Sequence, residues 1–171
     1  MLSILLLAVI SALSTASAEP PFRISIVPES RSGQVSKIGW GAESKRKCYV
    51  VLTNTTDQPQ RVFETWNSWG YQAISFELTH ASGKTSKVSV KPQIFTVNFP
   101  STFTIPANGH YVFPISLNQD WEGEPEFGKE GRTEVKLKAV YGLAPTTESR
   151  EQEVWTGRVE SDELAVEISR R

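Results

Sequence analysis

The stretch Thr133-Glu-Val135-Lys-Leu137-Lys-Ala139-Val-Tyr141 places Val135, Leu137, Ala139 and Tyr141 on one side of an extended backbone and charged residues on the other. A period of two is the signature of a β-strand with one buried face. The same period recurs in Phe22-Arg-Ile24-Ser-Ile26 and in Ile74-Ser-Phe76-Glu-Leu78, while Cys48 to Thr53 is a near-continuous apolar run suited to a central strand or a sandwich core. No window sustains a helical period, and no fixed-period repeat or low-complexity tract is found. The chain is therefore expected to be all-β.

Turns separate these runs. Pro106-Ala-Asn108-Gly109 combines a preset φ with two residues that tolerate positive φ, His80-Ala-Ser-Gly83-Lys84 reads as a hairpin loop, and Asn54 to Pro59 is a turn by composition. Further strands are expected at Val35 to Trp40 (a short edge), Gln60 to Thr65, Thr85 to Lys91 (an edge guarded by lysines) and His110 to Leu117, with closing strands at Glu153 to Val159 and Leu164 to Ile168. Ile94 to Phe99 and Phe103 to Ile105 read as short β segments broken by Pro100 and Pro106. Roughly eight or nine strands with regular turn signals predict an antiparallel sandwich.

With 171 residues the chain is expected to carry a single domain, from 19 to 171, with enough core to fold without disulfide staples. Met1 to Ala18 holds no charged side chain, and Ile4 to Ile10 is an apolar run followed by Ala16-Ser-Ala18. This is read as a signal peptide cut before Glu19, too short in its apolar part to span a bilayer. A secreted or periplasmic protein follows, with no membrane contact after cleavage. Lys plus Arg number 18 against 19 Asp plus Glu, a balance that argues against nucleic acid and against a polybasic grip on anionic lipid.

The order Val51-Leu-Thr-Asn54…Asp57-Gln-Pro59, then Pro106-Ala-Asn-Gly109, then Val135 to Tyr141, then Trp155-Thr-Gly157-Arg-Val-Glu-Ser161 resembles immunoglobulin-like β-sandwich domains of small secreted bacterial proteins. The likeness spans nearly the whole chain after residue 18 and lacks the Cys…Trp…Cys spacing of antibody domains. It implies the sandwich and no antibody-like chemistry. The Pro-Ala-Asn-Gly turn and the late alternating strand are also similar to the bacterial proteinase-inhibitor β-domain of the BsuPI type. So widely shared a fold does not carry function with it.

Catalytic motifs are absent from the sequence. There is no Gly-x-Ser-x-Gly elbow, no phosphate-cradling loop and no metal-type Cys/His spacing. The lone Cys48 lies in a strand pattern and is expected to be a buried thiol, and His80 and His110 are expected at turns or strand ends. The alternating acids from Asp120 to Glu126 read as a solvated loop, with no EF-hand spacing. Asn54-Thr55-Thr56 is a formal glycosylation sequon.

The aromatics remain. Phe76, Tyr111, Phe113 and Tyr141 are assigned to inward strand positions, and Trp40 and Trp155 to packed positions in or beside strands. Trp66, Trp69, Tyr71 and Trp121 fall in loop-like segments with no core slot, so they either plug the sandwich end or form a binding surface. The sequence thus predicts a non-catalytic binding module without cofactor, whose partner is a protein or a carbohydrate. A proteinase-inhibitor-like domain and a structural envelope or matrix component are the alternatives.

Overall fold

The computed structural model describes residues 19–32, 35–42 and 47–170. The signal-peptide reading of residues 1–18 lies outside them. Among the described residues strands account for 51% and helix for 4%, so the all-β expectation is met. In order, the strands are β1 (Phe22–Pro28), β2 (Ser30–Ser32), β3 (Val35–Trp40), β4 (Cys48–Asn54), β5 (Gln60–Phe63), β6 (Ile74–His80), β7 (Thr85–Val90), β8 (Thr102–Ile105), β9 (His110–Ile115), β10 (Trp121–Glu122), β11 (Arg132–Leu143), β12 (Gly157–Glu160) and β13 (Leu164–Arg170). A short helix, α1 (Thr147–Glu151), precedes β12, and the Thr146 side chain caps it by accepting from the Ser149 N–H.

These strands form three sheets. A small one runs β1-β4-β9, a two-stranded ribbon pairs β5 with β8, and a large one runs β10-β7-β6-β11-β13-β3-β2, with β12 also pairing β11. The large sheet curls into half a barrel. Strand alternation accounts for the interior. Val135, Leu137, Ala139 and Tyr141 of β11 are buried beside Phe76 and Leu78 of β6, and Ile24, Val50 and Leu52 of the small sheet join the same cluster. β1 lies against β11, β12 and β3, so one core is shared between the sheets.

Several expectations are corrected. The sheets are not purely antiparallel, because β3 and β13 pair in parallel, Ile38 opposite Ile168. β3 is consequently an interior strand of the large sheet, flanked by β13 and β2, rather than an edge. β7 is likewise followed by β10, which pairs Trp121 with Val90. Segment 94–99 is irregular and belongs to no strand. Tyr111 is exposed rather than inward, since it sits at the rim against Phe103 at 4.2 Å.

The sequon is occupied by the fold itself. Asn54 is fully buried, and its amide Nδ2 donates to the carbonyls of Gln58, Ile105 and Pro106 at 2.7–3.2 Å. No donor is left for a glycan without breaking that turn. Cys48 is the buried thiol expected, and burial pushes its pKa up to about 12, which keeps it protonated and inert at neutral pH. Trp40 is buried, and Trp155 is half-buried against Phe22 and Tyr141, as their strand positions imply.

Candidate functional site

Two connections leave the same end of the β5–β8 ribbon. Phe63 pairs with Thr102 at its last rung, so the loop 64–73 begins beside the point where the loop 91–101 ends. The first loop enters β6 and the second leaves β7, its antiparallel neighbour. Topology therefore places the two loops side by side.

Side-chain amides hold them there. Asn67 is fully buried; its Oδ1 accepts the N–H groups of Trp69 and Gly70 at 3.1 Å, and its Nδ2 donates to the Ser101 carbonyl at 3.0 Å and hydroxyl at 3.2 Å. Asn98 reaches back, accepting from the Ser68 N–H at 3.0 Å and donating to its hydroxyl at 2.8 Å. The Ser101 hydroxyl donates to Glu64 at 3.0 Å, and the same carboxylate accepts from the Trp66 indole N–H. Gly70 is required by close approach, because a Cβ there would stand 2.3 Å from the Glu64 carbonyl oxygen.

Because polar side chains fill the space between the loops, the rings are turned outward. Trp66 is 44% exposed and meets Phe99, itself 53% exposed, edge-on at 4.8 Å. On the same loop as Phe99, Val97 is 67% exposed and Ile94 95% exposed. Leaving such side chains in water forgoes about 1.5–3 kcal/mol each relative to full burial, so an apolar cluster on one loop pair is a departure that asks for a reason. Beside it, Tyr71 packs edge-on against Phe95 at 5.4 Å. Desolvation, and secondarily the charge of Asp120, raise the Tyr71 pKa.

The four predicted aromatics therefore do not form one platform. Trp66 and Tyr71 share the face contributed by the loop 91–101. Trp69 is half-buried with different neighbours: its ring lies 6.2 Å from Phe63 and borders a 230 Å³ pocket with Gln72, Leu143 and Thr146. Glu148 is held below its ordinary carboxylate pKa first by its own backbone N–H, then by the Thr146 hydroxyl and the Trp69 indole. Trp121 is not a loop residue at all. It is buried in β10 and packs on Phe76 at 5.6 Å, a core side chain.

Sequence reasoning missed Ile94, Val97 and Phe99. Their segment reads in sequence as a short β segment, yet Ile94, Phe95, Val97 and Phe99 place apolar groups on both sides of any extended backbone. Lack of a consistent period between Pro92 and Pro100 was the available signal.

The acidic loop after β10 is engaged in ion pairs, Glu126 with Lys84 and Glu124 with Arg170. No group of three or more His, Cys, Asp or Glu side chains among the described residues is arranged to hold a metal ion. His80 is buried, its Nε2 at 3.1 Å from the Ser86 hydroxyl, whereas His110 is exposed at the start of β9. No helix among the described residues is long and apolar enough to cross a membrane.

No family model matches the chain, and no curated protein matches its sequence. Among solved structures, Northeast Structural Genomics Consortium target SoR45 aligns over 87% of this chain and 86% of its own, at 14% identity and a TM-score of 0.37. So loose a similarity carries no inference about fold or function.

Proposed function

We propose that the chain is an exported, secreted or periplasmic, immunoglobulin-like β-sandwich that binds a partner rather than transforming a substrate. The sandwich reading is supported by the β1-β4-β9 sheet lying against β11, β12 and β3 over a common core. The binding reading rests on one observation: Ile94, Val97, Phe99 and Trp66 are exposed on two adjacent loops that hydrogen bonds of Asn67 and Asn98 join. Two aliphatic side chains share this surface with two rings that stand edge-on rather than flat, which favours a protein partner over a carbohydrate.

A proteinase-inhibitor-like role is the second reading, favoured by the near-complete exposure of Ile94 on a loop clasped by Asn98 and Ser101. Such a loop has the stiffness that preorganised binding needs.

Both readings are tested with one variant, I94S/V97S/F99S/W66S, whose changes lie outside the core. Screened against immobilised proteins, glycans and a panel of proteinases, the native chain is expected to engage a member that the variant does not. Undiminished engagement by the variant would sink the site assignment. N-terminal sequencing of the exported protein is expected to begin at Glu19; retention of Met1 would sink the signal-peptide reading.

A further inference from the structure

The large and small sheets differ in what they turn away from the core. On the large sheet the outward side is laced with ion pairs: Glu77 with Arg158 at 2.6 Å, Lys138 with Glu160 at 3.1 Å, Lys136 with Glu163 at 3.3 Å and Lys37 with Glu167 at 3.6 Å. The β1-β4-β9 sheet is different. Its register sets Val27, Tyr49 and Pro114 in one cross-strand row and Ser25, Val51 and Val112 in the next. Ile24, Val50, Leu52 and Phe113 of the same strands are buried, so by the two-residue period both rows face away from the core. Val27 is 38% and Val112 41% exposed; Ser25 and Pro114 are exposed, and Tyr49 and Val51 on the middle strand are half-buried.

No charged side chain stands in either row, and charges gather only at the two ends of the face. Arg23, Thr53 and His110 form the row beyond Ser25, while Glu29 and Lys47, joined by a backbone hydrogen bond, follow Val27 and Tyr49. A highly charged partner therefore finds nothing to pair with across the middle. A second copy of the chain does fit. Turned about a twofold axis that lies in the interface and crosses the strands, it sets Val51 over Tyr49 of the partner subunit and Val112 over Pro114 of the partner subunit. The same turn carries Arg23 toward Glu29 of the partner subunit and keeps the two Arg23–His110 ends apart. Sheet faces stack in this way about 10 Å apart, with their side chains interdigitating. Growth at the edges is less open, because Pro114 interrupts the donors of β9 and the turn 160–164 lies along β1.

We propose that the outward face of the β1-β4-β9 sheet is a self-association surface, on which two copies of the chain stack with antiparallel strands. The contact is isologous, each copy giving the same patch. Three strands of about six residues span roughly 15 by 20 Å. Two such faces together fall at or below the low end of the about 1,200–2,000 Å² of a standard interface, so the dimer is reversible rather than permanent. This surface is separate from the loop pair that carries Trp66 and Phe99.

Sedimentation equilibrium of the exported chain tests this. A monomer–dimer equilibrium is expected, with its midpoint at roughly 10–300 µM. Val51→Lys, at the centre of the face, is expected to weaken the dimer by about thirtyfold or more. Val112→Lys, on the outer strand where a new side chain disturbs the fold least, is expected to do the same. The loop variant I94S/V97S/F99S/W66S is expected to dimerise as the native chain does, so the two surfaces fail separately. The proposal is overturned by a strict monomer at about 0.5 mM, or by undiminished dimerisation of Val112→Lys. A dimer lost in the loop variant but kept in the lysine variants also overturns it, by moving the contact to the loops.

Discussion

Phe22, Trp155, Tyr141 and Phe113 touch in sequence through the interior, with ring centroids 5.3, 6.1 and 6.2 Å apart, and Tyr111 extends the chain to the rim at 4.7 Å from Phe113. Trp66, Phe99, Tyr71 and Phe95 also meet in pairs at similar distances, but at the end of the molecule and in part exposed. The difference is what carries the rings. Most of the first set stands on β1, β9 and β11, where the two-residue period turns alternate side chains into the core. The second set stands on loops whose interior is taken by Asn67 and which Asn98 and Ser101 clasp together, so the apolar groups are displaced outward. Ring chemistry is the same in both places; the hydrogen-bonding of the neighbouring backbone decides which way a ring faces.

The largest effect is expected inside. Phe113→Ala removes a buried ring from the interior chain and should cost about 3–5 kcal/mol in urea unfolding. Next comes the loop scaffold. Asn67→Ala strips the half-buried Trp69 amide and the buried Gly70 amide of their acceptor and should cost about 2–3 kcal/mol. It should also shift the Trp66 and Phe99 resonances. Gly70→Ala should disturb the same resonances through its clash with Glu64.

By contrast, the double change Trp66→Ala and Phe99→Ala should cost only about 1–2 kcal/mol for the two rings together, because each is only about half buried. A core-sized loss would mean that these rings plug the end of the fold. The smallest effect is expected at Tyr141. Its buried hydroxyl has no hydrogen-bond partner among the described residues, so Tyr141→Phe should be neutral or stabilising by up to about 1 kcal/mol. A clear loss of stability would show that the hydroxyl is satisfied in solution.

This contrast also explains what was legible in the sequence. β1, β6 and β11 could be read because each buries one face, and the hydrophobic pattern records it. β2 and β10 could not, since Ser30–Ser32 and Trp121–Glu122 are extended only through pairing with β3 and β7. Trp66 and Trp121 look alike in sequence, each in a polar stretch with a nearby glycine. They separate only when the Trp121–Val90 pairing turns one indole onto Phe76 and the Glu64 carboxylate holds the other at the surface. The parallel β3–β13 pairing joins chain segments too distant for any local pattern to announce. Asn67, which sets the loop geometry, carries no periodic signal.

The central claim is that Trp66 is held outward while the other indoles are wholly or partly packed, and acrylamide quenching tests it directly. The native chain, with its five tryptophans, should show a minor, readily quenched component over a protected majority. Trp66→Phe should remove that component and leave the remainder unchanged. Survival of the quenched component in the Trp66→Phe protein would place the exposed indole elsewhere and contradict the account.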